Sequence, residues 1–313
     1  MAKKKDPAQT AQVQQLRALA TDPQAQGALA VTLLDARQGP EVVLAAVQTL
    51  TRNPWPAARS ALLDLYAYYS GRGQKLDAAA YMRAAILRAL RDIVLPADVG
   101  FLAAATETFI FPPPSFTEEG AMLRSAALLA LAALDDDLAR YHAVRLLANE
   151  HTDAMSGEPA LTAAKVLAAQ GEELPLYFYV MQDGARILPE VVSTCLSNLT
   201  TLRVDLLPSL LKRYGDDTQE VVLVGLFDLL LNHCAGVQGI DFITRFLQQS
   251  QHLDAYRYLV VTMVTSGKRD VVQYLLTASQ MALPKPKVAI LREALTLVRD
   301  HEPAVARFLE QLR

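Results

Sequence analysis

Residues 158–180 read EPALTAAKVLAAQGEELPLYFYV. Ala and Leu dominate the first part, Gly171 interrupts it, and a second run rich in large apolar side chains follows Glu173. Ala and Leu lose little side-chain freedom in a helix, and Gly supplies the backbone freedom that helix ends use. The stretch predicts a helix with a small-residue packing core, a tight turn at Gly171, and a second amphipathic helix. A pair this short cannot bury its own apolar faces, so it calls for neighbours stacked on either side.

The same pattern recurs along the chain. In GPEVVLAAVQTLTRNP (39–54), Val43, Val47 and Leu50 fall on one helical stripe; Pro40 suits a first turn and Asn53-Pro54 closes the segment. DAAAYMRAAILRAL (77–90) places Met82, Ile86 and Leu90 on a stripe, with Arg83, Arg88 and Arg91 largely off it. DTQEVVLVGLFDLLLNH (217–233) opens on Asp217 and Glu220, a capping-box spacing, and is then apolar nearly all round, as a helix between neighbours should be. First helices are expected to start near residues 9, 40, 76, 118, 158, 189, 217, 252 and 285, and second helices near 24, 54, 96, 136, 173, 203, 236, 268 and 302. The recurrence, roughly 28–42 residues, is that of helical-pair repeats.

On these residues the chain resembles HEAT-type repeats. The likeness is carried by 158–180, by LPEVVSTCLSNLTTLRVDLLPSLLKRYGDD (188–217) and by HLDAYRYLVVTMVTSGKRDVVQYLLTAS (252–279). It implies an all-α fold, a right-handed α-solenoid of about nine antiparallel helix pairs, running as one domain over 9–313 after a disordered basic tail at 1–8. The glutamines at 9, 12, 14 and 15 suit a polar N-terminal cap, and EPAVARFLEQLR (302–313) a C-terminal one.

Composition narrows the chemistry. A formal net charge of −3 argues against a general nucleic-acid binder. Cys195 and Cys234 form no disulfide framework and fit a reducing compartment. MAKKKDPAQTAQ is not a secretory signal, and VVLVGLFDLLL (221–231) is too short to span a bilayer. A cytoplasmic protein is expected, with no membrane contact. The histidines at 142, 151, 233, 252 and 301 have no metal-ligand spacing; His233 suits a helix C-terminus. Cys195 sits in an apolar stripe with no base beside it, and Asp135–Asp137 suits the first turn of a helix. No catalytic motif, cofactor site or metal site is identified, and no cofactor is expected.

FIFPPPSFTEEG (109–120) reads as a stiff joint between helices, with Ser115 and Glu118 as a capping box and Phe109, Phe111 and Phe116 buried against the flanking helices. YAYYSGRGQ (66–74) and PLYFYVM (175–181) are the aromatic-dense segments. In the second, Leu176, Phe178 and Val180 or Met181 should pack, while Tyr177 or Tyr179 could face a partner. The expected role is a non-catalytic scaffold that binds a protein or peptide along its concave face, with Tyr177, Tyr179, Lys212, Arg213 and Arg245 as candidate contacts. The alternative is an enzyme on a similar fold, an alkylpurine DNA glycosylase or a bilin lyase. The thirteen acidic and thirteen basic residues of 189–313 show no basic excess of the kind a glycosylase would need.

Overall fold

A computed structural model describes residues 7–114, 116–134, 136–183, 187–280, 283–297 and 303–311. Among them there are eighteen α-helices and no strand. The chain divides into two compact units between Gln170 and Gly171. The first holds α1 (Pro7–Ala18), α2 (Pro23–Thr32), α3 (Pro40–Arg52), α4 (Arg59–Ser70), α5 (Tyr81–Leu90), α6 (Val99–Thr106), α7 (Ala121–Ala132), α8 (Asp136–Leu147) and α9 (Ala160–Ala169). The second holds α10 (Glu173–Met181), α11 (Pro189–Ser197), α12 (Leu207–Tyr214), α13 (Glu220–Asn232), α14 (Ile240–Gln249), α15 (Leu253–Thr265), α16 (Arg269–Ala278), α17 (Lys285–Leu295) and α18 (Pro303–Gln311). The division falls inside the stretch 158–180. Of the expected tail, residues 1–6 lie outside the described residues, and α1 already includes Pro7 and Ala8.

Within each unit, alternate helices pack on one another. In the first unit α1 meets α3, α3 meets α5, α5 meets α7 and α7 meets α9; in the second, α11 meets α13, α13 meets α15 and α15 meets α17. The inner ones, such as α7 and α13, are apolar on several sides because they have neighbours on several sides, whereas α1 buries only Leu16. Several helices are entered through a short 3-10 turn: Pro56–Ala58 before α4, Pro96–Asp98 before α6, Val204–Leu206 before α12 and Gly236–Gly239 before α14. The expected starts at 54, 96, 203 and 236 fall on or beside these turns, so the α-helices themselves begin a few residues later.

Small residues set how closely the helices approach. Ala126, Ala127 and Ala130 of α7 and Ala163 and Ala164 of α9 are buried. α11 and α13 approach closely at Gly225. A Cβ at Gly225 would sit 2.5 Å from the Ser193 carbonyl oxygen and 2.6 Å from its Cα. Backbone atoms cannot swing aside, so the helices would have to separate. Gly225→Ala is therefore expected to lower stability in a urea melt: overpacking costs about 1–3 kcal/mol, offset in part by about 1 kcal/mol of helix propensity.

Glu220 does not complete a capping box with Asp217. The Asp217 carboxylate accepts from its near neighbour Gln219 N at 2.7 Å. Glu220 is the first residue of α13, and its carboxylate accepts instead from Ala255 N at 2.6 Å, in the first turn of α15. One stacked helix thus satisfies an orphan amide of the next. Asp98 ties the first unit in a similar way. It accepts from its own Leu95 N at 2.8 Å and pairs with Arg59. Burial works against its charge, but the Arg59 guanidinium and the Leu95 amide together hold its carboxyl below the usual value. A depressed folded-state pKa stabilises above the unfolded value and is lost as pH falls through the folded one. Arg59→Met should thus flatten the acid limb of a stability–pH profile below about pH 4.

Candidate functional site

In the second unit, hydrogen bonds and ion pairs join helices that are two apart in chain order. Arg213 Nη1 pairs with Asp183 Oδ1 at 3.0 Å, and its Nη2 donates to the Gln182 carbonyl at 2.5 Å. Further along the unit, Arg245 Nη2 pairs with Asp216 Oδ1 at 3.1 Å. The Tyr214 hydroxyl donates to the Val180 carbonyl at 2.5 Å, and the Tyr274 hydroxyl to the Ile240 carbonyl at 3.1 Å. These partners lie 29–34 residues apart in sequence. They tie α10 to α12, α12 to α14 and α14 to α16, and α14 also packs directly on α16. Beside Arg245 is a cleft of about 310 Å³, lined by Asp216, Thr218, Phe242, Ser250 and His252 among others.

This arrangement changes the role of several candidates. Arg213 and Arg245 are rungs with their own carboxylates, while Lys212, next to Arg213 on α12, is exposed. Tyr177 is half-buried. Tyr179 cannot contact a partner: it is 5% exposed, and its hydroxyl accepts from Leu188 N at 3.4 Å. Burial pushes its pKa up to about 12. Phe178, expected to pack, is instead 66% exposed, and Leu174 one turn before it is 72% exposed. α10 buries Leu176, Tyr179 and Val180, a spacing of three and four. That leaves Leu174 and Phe178 together on the opposite side. Apolar residues occupy every side of this short helix, so periodicity could not choose between the two faces. The signal available was the tyrosine hydroxyl, which needs a partner when buried and finds one in the turn before α11. In the first unit, Tyr66 and Tyr69 are buried, and Tyr66 meets Phe101 edge-on at 4.7 Å.

Among the described residues no three His, Cys, Asp or Glu side chains are grouped to hold a metal ion. Cys195 is buried in α11, and burial raises its thiol pKa far above the usual value. His233 follows α13 and is held by its surroundings: Nδ1 accepts from Ala235 N at 3.0 Å, and Nε2 lies 2.6 Å from the Leu202 carbonyl. The carbonyl it meets lies between α11 and α12, not at its own helix end. Asp228, the polar break in α13, accepts from the Tyr258 hydroxyl of α15 at 2.7 Å, and burial raises its pKa. Of the Asp135–Asp137 run, Asp135 lies outside the described residues and α8 opens at Asp136. His301 also lies outside them. No helix among the described residues is long and apolar enough to cross a membrane.

The segment 107–120 joins α6 to α7. Ser115 lies outside the described residues, and Glu118 has a different job from the expected capping box. Its carboxylate accepts from Ile110 N at 3.1 Å and Gly120 N at 2.8 Å, and is gripped by Arg124 through two bonds of 2.6 and 2.9 Å. The three phenylalanines are not buried as expected: Phe109 and Phe111 are about half exposed and Phe116 is 66% exposed. Phe109 and Phe111 both lean edge-on against His151, and Arg124 lies over the Phe109 ring at 4.4 Å. The segment is held by the buried ion pair rather than by a phenylalanine staple. Phe116 has φ +50 and closes a turn by donating its N–H to the Pro112 carbonyl, which aims its ring outward. Phe116→Ala should accordingly change stability by less than about 0.5 kcal/mol; a loss of 1 kcal/mol or more, roughly the lower end for a buried ring, would put the ring back in the core.

A comparison with protein-family models returns no match, and neither does one with curated protein sequences.

Proposed function

We propose that the protein is a HEAT-like scaffold, a right-handed solenoid of about nine antiparallel helix pairs. In this reading it is cytoplasmic and binds a protein or peptide along the face of its second helices, the concave side of such a stack. The observation that carries the reading is the exposed pair Leu174 and Phe178, one turn apart on α10. Large apolar side chains left in water beside a polar rim are what partner-binding surfaces use. The rungs beyond them pair Arg213 with Asp183 and Arg245 with Asp216. They give the face a polar, charge-balanced character that suits a protein partner better than a polyanion. Lys212 is an exposed cation of α12 that the rungs do not use.

The test is site-specific photo-crosslinking. A benzophenone side chain is placed at Phe178, and as a control at Met155, which is 98% exposed in the first unit. A discrete adduct at 178, absent at 155 and lost in the folded Leu174→Glu/Phe178→Glu variant, is the expected result. Adducts that are the same at both positions, or that survive the double variant, would reject this face.

A further inference from the structure

A second cavity lies wholly within the first unit and is independent of the face just discussed. It has a volume of about 430 Å³ and is lined by Arg91 at the end of α5, by Leu129 and Ala133 from the α7 region, by Arg140 of α8, and by Lys165 and Val166 of α9. Three cations from three different helices therefore border one cavity whose remaining wall is largely small and aliphatic. Two of the cations meet nearby carboxylates. Arg91 Nε lies 3.9 Å from Asp92, and Arg140 Nη1 lies 3.1 Å from Asp137, which is 92% exposed. Lys165 is exposed and pairs with no carboxylate among the described residues. Positive charge is left over on the α9 side of the cavity, directly beside Val166.

We infer that this cavity binds an aliphatic monocarboxylate, with its carboxylate on Lys165 and the two arginines and its chain on the Leu129, Ala133 and Val166 wall. The size falls in the usual range of small-ligand sites. Arg and Lys donors to a carboxylate make charge-assisted bonds, stronger than neutral ones. The two acids beside the arginines make a dianion such as inorganic phosphate a poorer guest. None of the lining side chains is aromatic, so a nucleobase would find no ring to stack on. The same chemistry could come from a free fatty acid or from the C-terminal Leu or Val of a peptide.

Titration calorimetry on the full chain separates these cases. The probes are octanoate, N-acetyl-leucine, and their neutral counterparts octanamide and N-acetyl-leucinamide. The expected result is saturable binding of at least one acid and none of its amide. Octanoate alone would point to a free acid, and N-acetyl-leucine alone to a peptide end. Lys165→Glu should weaken the acid roughly tenfold or more, the scale of one charged hydrogen bond, while Lys165→Arg retains it. Lys165 is on the surface, and a thermal melt checks that both variants stay folded. The inference is overturned if neither acid saturates by about 10 mM, the weak limit of useful affinity. It is also overturned if the amides bind equally, or if folded Lys165→Glu binds the acid unchanged.

Discussion

Replacing Arg124 with Met is expected to lower the stability of the first unit by about 3–5 kcal/mol, the range for removing one partner of a buried ion pair. The Arg124 side chain is fully buried, and Glu118 is nearly so. The guanidinium forks onto both carboxylate oxygens, and it also donates to the Thr108 carbonyl at 3.3 Å and the His151 carbonyl at 3.0 Å. It therefore fastens the α6–α7 joint and the segment after α8 to α7 at once. Without it, a buried carboxylate and two carbonyls lose their donor. Met fills much of the same volume, so the loss reads the polar network rather than a cavity. The shift should appear in a thermal melt as roughly 2–4 °C per kcal/mol for a unit of this size. The double variant Glu118→Gln/Arg124→Met should recover part of the loss, because no unpaired charge remains buried. A single variant within 0.5 kcal/mol of the parent, roughly a surface effect, would show that the pair is solvated in solution. Equal losses in the single and double variants would mean that the carbonyl contacts, and not the charge, dominate.

The same residue marks where a sequence stops being informative. Glu118 reads in the sequence as part of a capping box because such boxes are local, i to i+3, but its carboxylate goes to Arg124 and to the Ile110 and Gly120 amides. Its choice of Arg124 depends on how the chain returns after Pro112–Pro114, which no spacing records. The helices themselves were legible, since most carry their own stripe, break and turn residues. α3, α11 and α17 open at residues 40, 189 and 285, each with a proline in the first turn. The 3-10 entries were not, because proline marks an N-terminus without saying whether the first turn is α or 3-10. The candidate binding face was only half legible. Its exposed cation Lys212 could be named, but α10 is apolar on all sides, and which side is buried follows from the neighbours it packs against. Partners far apart in sequence, such as Arg245 with Asp216 or Glu220 with Ala255, are long-range choices of the same kind.

Asp77 offers the second large effect, at a helix start that the sequence placed too early and with an arginine it placed outside. The α-helix begins at Tyr81 rather than near 76, after Ala80 in a left-handed conformation with φ +57. That detour leaves Asp77 free to fold its carboxylate over the helix end. It accepts from Met82 N at 2.8 Å, from Arg83 N at 3.1 Å and from Arg83 Nε at 3.0 Å. Arg83 returns a bond from Nη2 to the Asp77 carbonyl at 3.1 Å, and it is buried rather than lying off the apolar stripe. One carboxylate thus caps α5 and neutralises a buried guanidinium. Asp77→Ala removes both functions and should cost about 3–5 kcal/mol. Asp77→Asn keeps one acceptor oxygen for the amides but loses the charge, so it should fall between Ala and the parent. Arg83→Met leaves the two amide bonds to Asp77 intact and should cost less than Asp77→Ala. The ordering in urea melts is the discriminating result. If Arg83→Met proves as harmful as Asp77→Ala, the pair acts through its charges alone, and the cap on α5 contributes nothing measurable.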